Sequence, residues 1–185
     1  MGNLILGLDV STSVTGVCIL DPSVIPDNKG SHILHLDRVE LKKCKTFWEK
    51  ADLISVEFSQ LLQKYPGQFT VVLEEPLMGF QAGMSSAATI TTLMRFNGIC
   101  SYISREIFKV DPEYISASHA RKLCGIKMQR TSIAGMNGKE QVFKFMSEND
   151  LSHVNWPTKK NGKPIDASRD MCDSYVIARA ACLTK

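Results

Sequence analysis

Two short apolar runs that each end in an acidic residue place the strongest constraint on the fold of this chain. Residues 4–9 read Leu-Ile-Leu-Gly-Leu-Asp, and residues 69–74 read Phe-Thr-Val-Val-Leu-Glu. Continuous apolar runs of this length are typical of strands that are buried on both faces of a sheet. The two runs therefore predict buried strands whose last residues, Asp9 and Glu74, lie at the carboxyl edge of the sheet, where ligand sites of α/β folds tend to form.

The rest of the chain alternates between strand and helix patterns. Thr46 and Glu49 have the spacing of a capping box at the start of a helix, and Pro66-Gly67 follows its end. The predicted elements are, in chain order, strands 4–9, 14–20 and 32–41, helix 46–64, strand 69–74, helix 85–108, strand 113–116, and helices 118–123, 139–149 and 168–183. This order predicts one α/β domain over residues 1–185, with a five-stranded mixed sheet flanked by helices.

Length and composition exclude several classes of protein. The chain has 185 residues, of which 44% are hydrophobic and 22% charged, and these values are typical of a globular domain rather than a disordered chain. No run approaches the roughly 18–20 uncharged apolar residues of a membrane-spanning helix. The N-terminus lacks the basic region of a signal peptide. The six cysteines form no Cys-x-x-Cys pair, which predicts free thiols in a reducing, cytoplasmic compartment and no zinc site.

Positive charge is concentrated in the second half of the chain. The segment from Tyr114 to Lys139 contains no acid, and its cations are Arg121, Lys122, Lys127, Arg130 and Lys139. A second acid-free segment, 151–165, contains three more lysines, at 159, 160 and 163. Such a surface is suited to a polyanion such as nucleic acid. Two solvated loops are an equally good explanation of the charge taken alone.

Two further acids lie on the last predicted helix. Asp170 and Asp173 are three residues apart and share a helix face, where like charges repel unless a cation offsets them. Together with Asp9 and Glu74 they form an oxygen-ligand set suited to magnesium or manganese. Each acid alone has a structural explanation, such as a turn cap, a strand end or a favourable helix dipole. Their joint occurrence in this order of strands and helix is what favours a metal site.

Four motifs resemble those of one nuclease family. Residues 7–16, Gly-Leu-Asp-Val-Ser-Thr-Ser-Val-Thr-Gly, resemble the first-strand motif of RuvC-type Holliday junction resolvases, which belong to the RNase H-like superfamily. Val71–Glu74 resembles the family's second motif, and Lys139–Val142 resembles its lysine-x-glutamine-valine helix start. Asp170–Ala178 resembles its closing motif of two aspartates three residues apart. The matches occur in the family's order, from near residue 4 to near residue 182.

The resemblance implies a fold and an activity. The fold is RNase H-like, and the activity is that of a crossover junction endodeoxyribonuclease, which resolves four-way junctions by paired phosphodiester cleavage and leaves 5′-phosphate products. Asp9, Glu74, Asp170 and Asp173 take the positions of the family's catalytic, metal-binding acids. Such a site holds two Mg²⁺ or Mn²⁺ ions about 3.5–4 Å apart. The implied partners are branched DNA and a second copy of the chain in a homodimer, with no membrane.

The resemblance also implies DNA contacts. Lys122 and Lys139 fall where the family has basic residues near the scissile phosphate. Directly after the family glutamate, some relatives carry an aromatic residue that inserts into the junction. This sequence has Glu75-Pro76 there, and Phe80 is the candidate for that role. The other predicted DNA contacts are Arg121, Lys127 and Arg130. The long loop 125–138 and the insert 151–165 depart from the family pattern and bear on substrate preference.

The predicted helix 85–108 is a candidate dimer face. It carries small residues that permit close approach of a second helix, namely Ala87, Ala88, Thr91 and Gly98. The alternative is an ordinary helix packed in the core. A dimer with two active sites would match the pseudo-twofold symmetry of a four-way junction.

Three alternative functions remain at this point. The first is a nuclease of the same superfamily that acts on forks, flaps or RNA precursors. The second is a sugar or acetate kinase-like ATPase, which also begins with a strand, an acid and a Ser/Thr turn, but such enzymes need two domains of this kind. Residues 135–139 are not a P-loop, because Glu140 stands where Ser or Thr is required. The third is a catalytically silent junction-binding protein, for which four converging acids would be unfavourable.

Overall fold

A five-stranded mixed sheet forms the centre of the protein. The computed structural model describes residues 2–24, 26, 30–76 and 86–184. Its strands are β1 (Asn3–Asp9), β2 (Val14–Leu20), β3 (Ile33–Glu40), β4 (Gln68–Glu74) and β5 (Glu113–Ile115). They lie in the order β3-β2-β1-β4-β5. β1 pairs antiparallel with β2 and parallel with β4, β2 pairs antiparallel with β3, and β4 pairs parallel with β5. The predicted mixed sheet is confirmed.

Helices cover both faces of this sheet. The described chain contains α1 (Phe47–Lys64), α2 (Ala87–Phe108), α3 (Ala117–Leu123), α4 (Thr131–Ala134), α5 (Gly138–Glu148) and α6 (Ala167–Leu183). The predicted order is confirmed, and one element was missed: the single turn α4 inside the predicted loop 125–138. The predicted cap of α1 is present, because Thr46 accepts a hydrogen bond from the Glu49 amide at 3.1 Å. The Glu49 carboxylate accepts from the Lys45 amide rather than from Thr46.

Burial on both faces explains the continuous apolar runs. On one face, Leu4, Leu6 and Leu8 of β1 pack in a core cluster with residues of α1 and α2. On the other face, Ile5 packs in a second cluster with residues of α3, α5 and α6. Because both faces are covered, successive residues of β1 are apolar rather than every second one, as in a buried strand of an α/β fold.

Two glycines allow α6 to lie directly on the sheet. A Cβ on Gly7 of β1 would lie 2.5 Å from the carbonyl oxygen of Ser174, and a Cβ on Gly16 of β2 would overlap the backbone carbonyl of Asp170. Any larger residue at either position would push the helix away. This close packing brings the first turns of α6 to the carboxyl end of β1.

Some predictions concern residues that the structure does not describe. They are Phe80, the predicted loop 77–83 and Ser85 at the predicted start of α2.

All six cysteines are free thiols, as predicted. In the predicted basic insert 151–165, Lys159 pairs with Asp166 at 3.0 Å, so part of its charge is offset within the protein. None of the described helices is long and apolar enough to cross a membrane.

Candidate functional site

The first two predicted acids lie on adjacent parallel strands. β1 and β4 pair in register up to Leu8 and Leu73, and each strand ends on the next residue, Asp9 and Glu74 respectively. Asp9 is buried, with 8% of its surface exposed, and Glu74 is partly buried. The structure therefore places both strand-end acids side by side at the carboxyl edge of the sheet.

The second pair of acids reaches the same edge from α6 and converges on a lysine. The ammonium nitrogen of Lys139 lies 2.8 Å from Asp170 Oδ1, 3.4 Å from Asp173 Oδ2 and 3.6 Å from Asp9 Oδ2. Asp173 is 7% exposed, while the Lys139 side chain is half exposed. Three acids from a strand and a helix thus share one cation, and the fourth, Glu74, lies at the neighbouring strand end.

The start of α5 holds Lys139 in this position. Asn137 caps the helix by accepting a hydrogen bond from the Glu140 amide at 3.0 Å, and the Glu140 carboxylate accepts one from the Asn137 amide, also at 3.0 Å. Glu140 also pairs with Arg169 at 3.2 Å, directly before Asp170 on α6. The capping box and this ion pair fix the first turn of α5 against the first turn of α6.

Burial and mutual contacts shift the pKa values of the side chains in the site. Burial is the main cause that raises the pKa of Asp9 well above the ordinary aspartate range, and the Lys139 ammonium opposes it only in part. The pKa values of Asp173 and Glu74 are raised as well, again chiefly by burial. Burial acts to lower the pKa of Lys139, but the carboxylates around it outweigh burial and raise that pKa. The acids are therefore short of compensating positive charge.

The donor set fits a divalent cation. The four acids carry four negative charges when ionised. Lys139 contacts three of them, and the charge of Arg121 opposes the burial that raises the pKa of Glu74 and Asp173. These two cations leave the site negative, which favours the binding of divalent cations. All the donors are carboxylate oxygens, the ligands that Mg²⁺ and Mn²⁺ prefer. Within the described residues no group of three such side chains is placed to hold an ion, and Lys139 contacts three of the acids instead.

A pocket of about 210 Å³ opens beside the acids. Its lining includes the charged side chains of Asp9, Glu74 and Lys139 and, from the first half of α2, the apolar side chains of Ile90, Leu93 and Met94. The carboxyl edge of the sheet therefore opens into a pocket that carries both charged and apolar side chains.

The predicted DNA contacts Arg121, Lys122, Lys127 and Arg130 are not part of the lining of this pocket. Arg121, Lys122 and Lys127 line a separate open groove between α3 and the segment that follows it. Arg130 is exposed at the start of α4. Of the two lysines expected near the scissile phosphate, the structure places Lys139 among the acids and Lys122 in this groove. Arg121, predicted only as a DNA contact, is the groove residue whose charge reaches the acids.

Several residues that build the site were not recognised from the sequence. Gly7 and Gly16 occur in the first motif, but their role in admitting α6 is visible only in the packing. The pair Glu140–Arg169 joins two helices that are far apart in sequence. The capping box Asn137-x-x-Glu140 was readable as a pattern and could have located the start of α5.

Comparison with known proteins adds the class of fold. No family model matches the chain, and no curated protein does either. Two solved structures of RuvC share the fold of this chain. Thermus thermophilus RuvC in complex with a Holliday junction substrate matches with a TM-score of 0.64 and 13% sequence identity, over 98% of this chain and 93% of that chain. A second structure of Thermus thermophilus RuvC has a TM-score of 0.57 and 16% identity, over 97% and 93%. The RNase H-like fold predicted from the motifs is confirmed.

Proposed function

We propose that this protein is a metal-dependent, structure-selective DNA endonuclease that resolves four-way junctions by paired phosphodiester cleavage. The observation that carries the proposal is the convergence of Asp9, Asp170 and Asp173 on Lys139, with Glu74 on the adjacent strand. It occurs at the carboxyl edge of a fold that matches RuvC over almost its whole length. Acids short of positive charge beside an open pocket are suited to phosphodiester hydrolysis with bound cations.

The acids would hold the metal and the lysine would bind the substrate. Asp9, Glu74, Asp170 and Asp173 would coordinate two Mg²⁺ ions, with Mn²⁺ as a substitute. When bound, the ions supply activation of the attacking water and neutralisation of charge on the phosphate and the leaving 3′ oxygen. The half-exposed Lys139 ammonium would exchange its carboxylate contacts for a phosphate oxygen of the cleaved strand and stabilise the charge that develops there. The products would be a 5′-phosphate and a 3′-hydroxyl.

Recognition of the junction would depend on its backbone and shape. The 114–139 segment carries five cations and no acid, which makes its surface suited to DNA phosphates. Phosphate contacts position a protein on DNA without reading sequence, so selectivity would come from the geometry of the branch. The six free thiols are consistent with action in a reducing cytoplasm.

A homodimer would supply two active sites to one junction. On α2, Ala87, Thr91, Met94 and Gly98 are exposed at helical spacing, and nothing lies within 4 Å of a Cβ placed on Gly98. Tyr102, 64% exposed, continues the same side of the helix. The opposite side of α2 packs in the core, and this exposed side of small and apolar residues is suited to close packing of a second helix.

A comparison of labelled substrates tests the proposal. Equal concentrations of a four-way junction, a fork, a flap, a linear duplex and a structured RNA are incubated with the protein with Mg²⁺ or with EDTA. We expect cleavage of the four-way junction with Mg²⁺ only, by nicks in two opposing strands. Preferential cleavage of the fork, the flap or the RNA would show that this nucleic acid, rather than the junction, is the substrate. No cleavage of any substrate would contradict the proposal.

A further inference from the structure

One face of α2 carries a polar residue within an otherwise apolar stripe. Four residues of this face are spaced i, i+3, i+4 and i+7 and line the pocket beside the acids, namely Ile90, Leu93, Met94 and Asn97. Asn97 is the most buried of the four, with 7% of its surface exposed. Burial of an amide is unfavourable unless its polar atoms have hydrogen-bond partners. Its presence here therefore points to a specific polar contact.

That contact is made with the end of the strand that carries Glu74. The Asn97 amide nitrogen donates a hydrogen bond to the carbonyl oxygen of Glu74 at 3.2 Å. The N–H of the same peptide group, which belongs to Glu75, donates to the carbonyl oxygen of Ile115 at 2.9 Å. Because a peptide group is planar, the two bonds fix its orientation from both of its polar atoms. They hold the backbone at the residue that presents the Glu74 carboxylate.

Further hydrogen bonds hold Asn97 itself. The Ser101 hydroxyl donates to the backbone carbonyl oxygen of Asn97 at 2.8 Å and lies 3.4 Å from its amide oxygen. The Tyr114 hydroxyl donates to Ser101 at 2.8 Å. Tyr114 lies on β5, where it pairs with Leu73, the residue before Glu74. This series of bonds therefore joins α2 to the two strands that meet at Glu74.

We propose that Asn97 is a positioning residue for metal binding, whose amide holds the peptide group after Glu74 so that the Glu74 carboxylate keeps its place among the acids. The inference rests on the proposed function, in which Glu74 is a metal ligand. Asn97 would act through the Glu74 backbone, without touching the ions or the cleaved phosphate. Groups that orient metal ligands typically contribute about 10–100-fold to metal affinity. Loss of the amide would therefore weaken the binding of Mg²⁺ rather than that of DNA.

Two variants and a matched control test this role. Asn97→Leu keeps the size of the side chain and removes its hydrogen bond to Glu74, while Asn97→Ala removes the same bond and also leaves a cavity. Ser104→Ala is the control, because Ser104 is a buried polar residue of the same helix whose hydroxyl donates within the helix, to the Cys100 carbonyl oxygen at 2.7 Å. For each protein, Tm is measured against Mg²⁺ concentration without DNA. Cleavage of a four-way junction is measured against Mg²⁺ concentration and against DNA concentration.

The hydrogen bond to Glu74 and the packing of the side chain have different expected effects. Both Asn97 variants should need at least about tenfold more Mg²⁺ for the same rise in Tm and for half-maximal cleavage, with KM for the junction at saturating Mg²⁺ within about twofold of the wild type. Ser104→Ala should lower Tm without a change in the Mg²⁺ requirement. An unchanged Mg²⁺ requirement in Asn97→Leu, or an equal change in Ser104→Ala, would overturn the role of Asn97 while junction cleavage by the wild type stands.

The Tm series separates this role from the proposed function. A wild type that Mg²⁺ stabilises but that does not cleave the junction would contradict the proposed function, and the Tm series alone would then decide the role of Asn97. A wild type that neither responds to Mg²⁺ nor cleaves the junction would overturn both.

Discussion

The Lys139 ammonium lies 2.8 Å from the carboxylate of Asp170, in the middle of the space that the acids surround. The ammonium contacts three of the acids and offsets part of their negative charge. The charge balance of the site is therefore measurable without any DNA.

Replacing Asp9 by asparagine should stabilise the metal-free protein. Burial raises the pKa of Asp9 in the folded state, so the folded protein binds a proton that the unfolded chain has released. Wild-type stability therefore decreases as the pH rises from the ordinary aspartate range through the folded pKa, and Asp9→Asn removes that decrease. Thermal unfolding in EDTA should show a higher Tm for the variant at neutral pH, with about 2–4 °C for each kcal/mol gained. A lower Tm at neutral pH would contradict this balance of charge.

Replacing Lys139 by methionine should make the fold more dependent on Mg²⁺. The substitution removes the cation that contacts Asp9, Asp170 and Asp173. Because the Lys139 side chain is half exposed, water screens part of the cost, and we expect a loss of about 1–2 kcal/mol in EDTA. Added Mg²⁺ should raise the Tm of Lys139→Met more than that of the wild type. An equal or smaller increase would show that Lys139 does not compete with the ion, and no increase in either protein would show that the acids do not bind it.

Replacing Gly16 by alanine should displace α6. The new Cβ would overlap the backbone carbonyl of Asp170, and relief of this overlap moves the helix that carries two of the acids. We expect a loss of about 1–3 kcal/mol in chemical denaturation, and a fall in cleavage larger than the fall in DNA binding. Gly67→Ala is the control, because its Cβ would have only ordinary contacts, 3.7 Å or more away. Similar behaviour of the two variants would show that close packing at Gly16 is unimportant.

Replacing Gly98 by arginine should prevent dimerisation. The long charged side chain would enter the exposed side of α2 at a position where nothing lies within 4 Å of a Cβ. Sedimentation velocity should show a dimer for the wild type and a monomer for Gly98→Arg, with self-association weakened at least about tenfold. Val56→Arg on the exposed side of α1 is the control, since Val56 is 51% exposed. A Gly98→Arg dimer would show that the dimer interface lies elsewhere, and a wild-type monomer would exclude the dimer.

The sheet and the strand-end acids could be predicted from local patterns. The runs that contain β1 and β4 are apolar because both faces of the sheet are covered, and Asp9 and Glu74 interrupt that pattern where the strands reach the surface. Hydrophobic patterning reports burial of this kind directly. The position of Asp170 and Asp173 on one helix face was readable from their spacing alone.

The contacts inside the site could not be predicted from local patterns, because they join segments that are far apart in sequence. Nothing in local patterning places Lys139 within 4 Å of Asp9, because that contact requires α5 and α6 to pack on the same side of β1. The Gln141 contacts with Gln129 cross twelve residues and involve backbone groups that every residue possesses. The turn α4 was missed because four residues carry too little periodicity to be recognised.

Cleavage of a labelled four-way junction by the wild type and by Asp9→Asn tests the central claim most directly. The account predicts Mg²⁺-dependent cleavage by the wild type, a loss on the order of 10³-fold in Asp9→Asn, and junction binding retained in the variant. Glu148→Gln, at an exposed position at the far end of α5 from Lys139, is the matched control and should cleave like the wild type. Equal cleavage by Asp9→Asn and the wild type would contradict the assignment of the acids to catalysis.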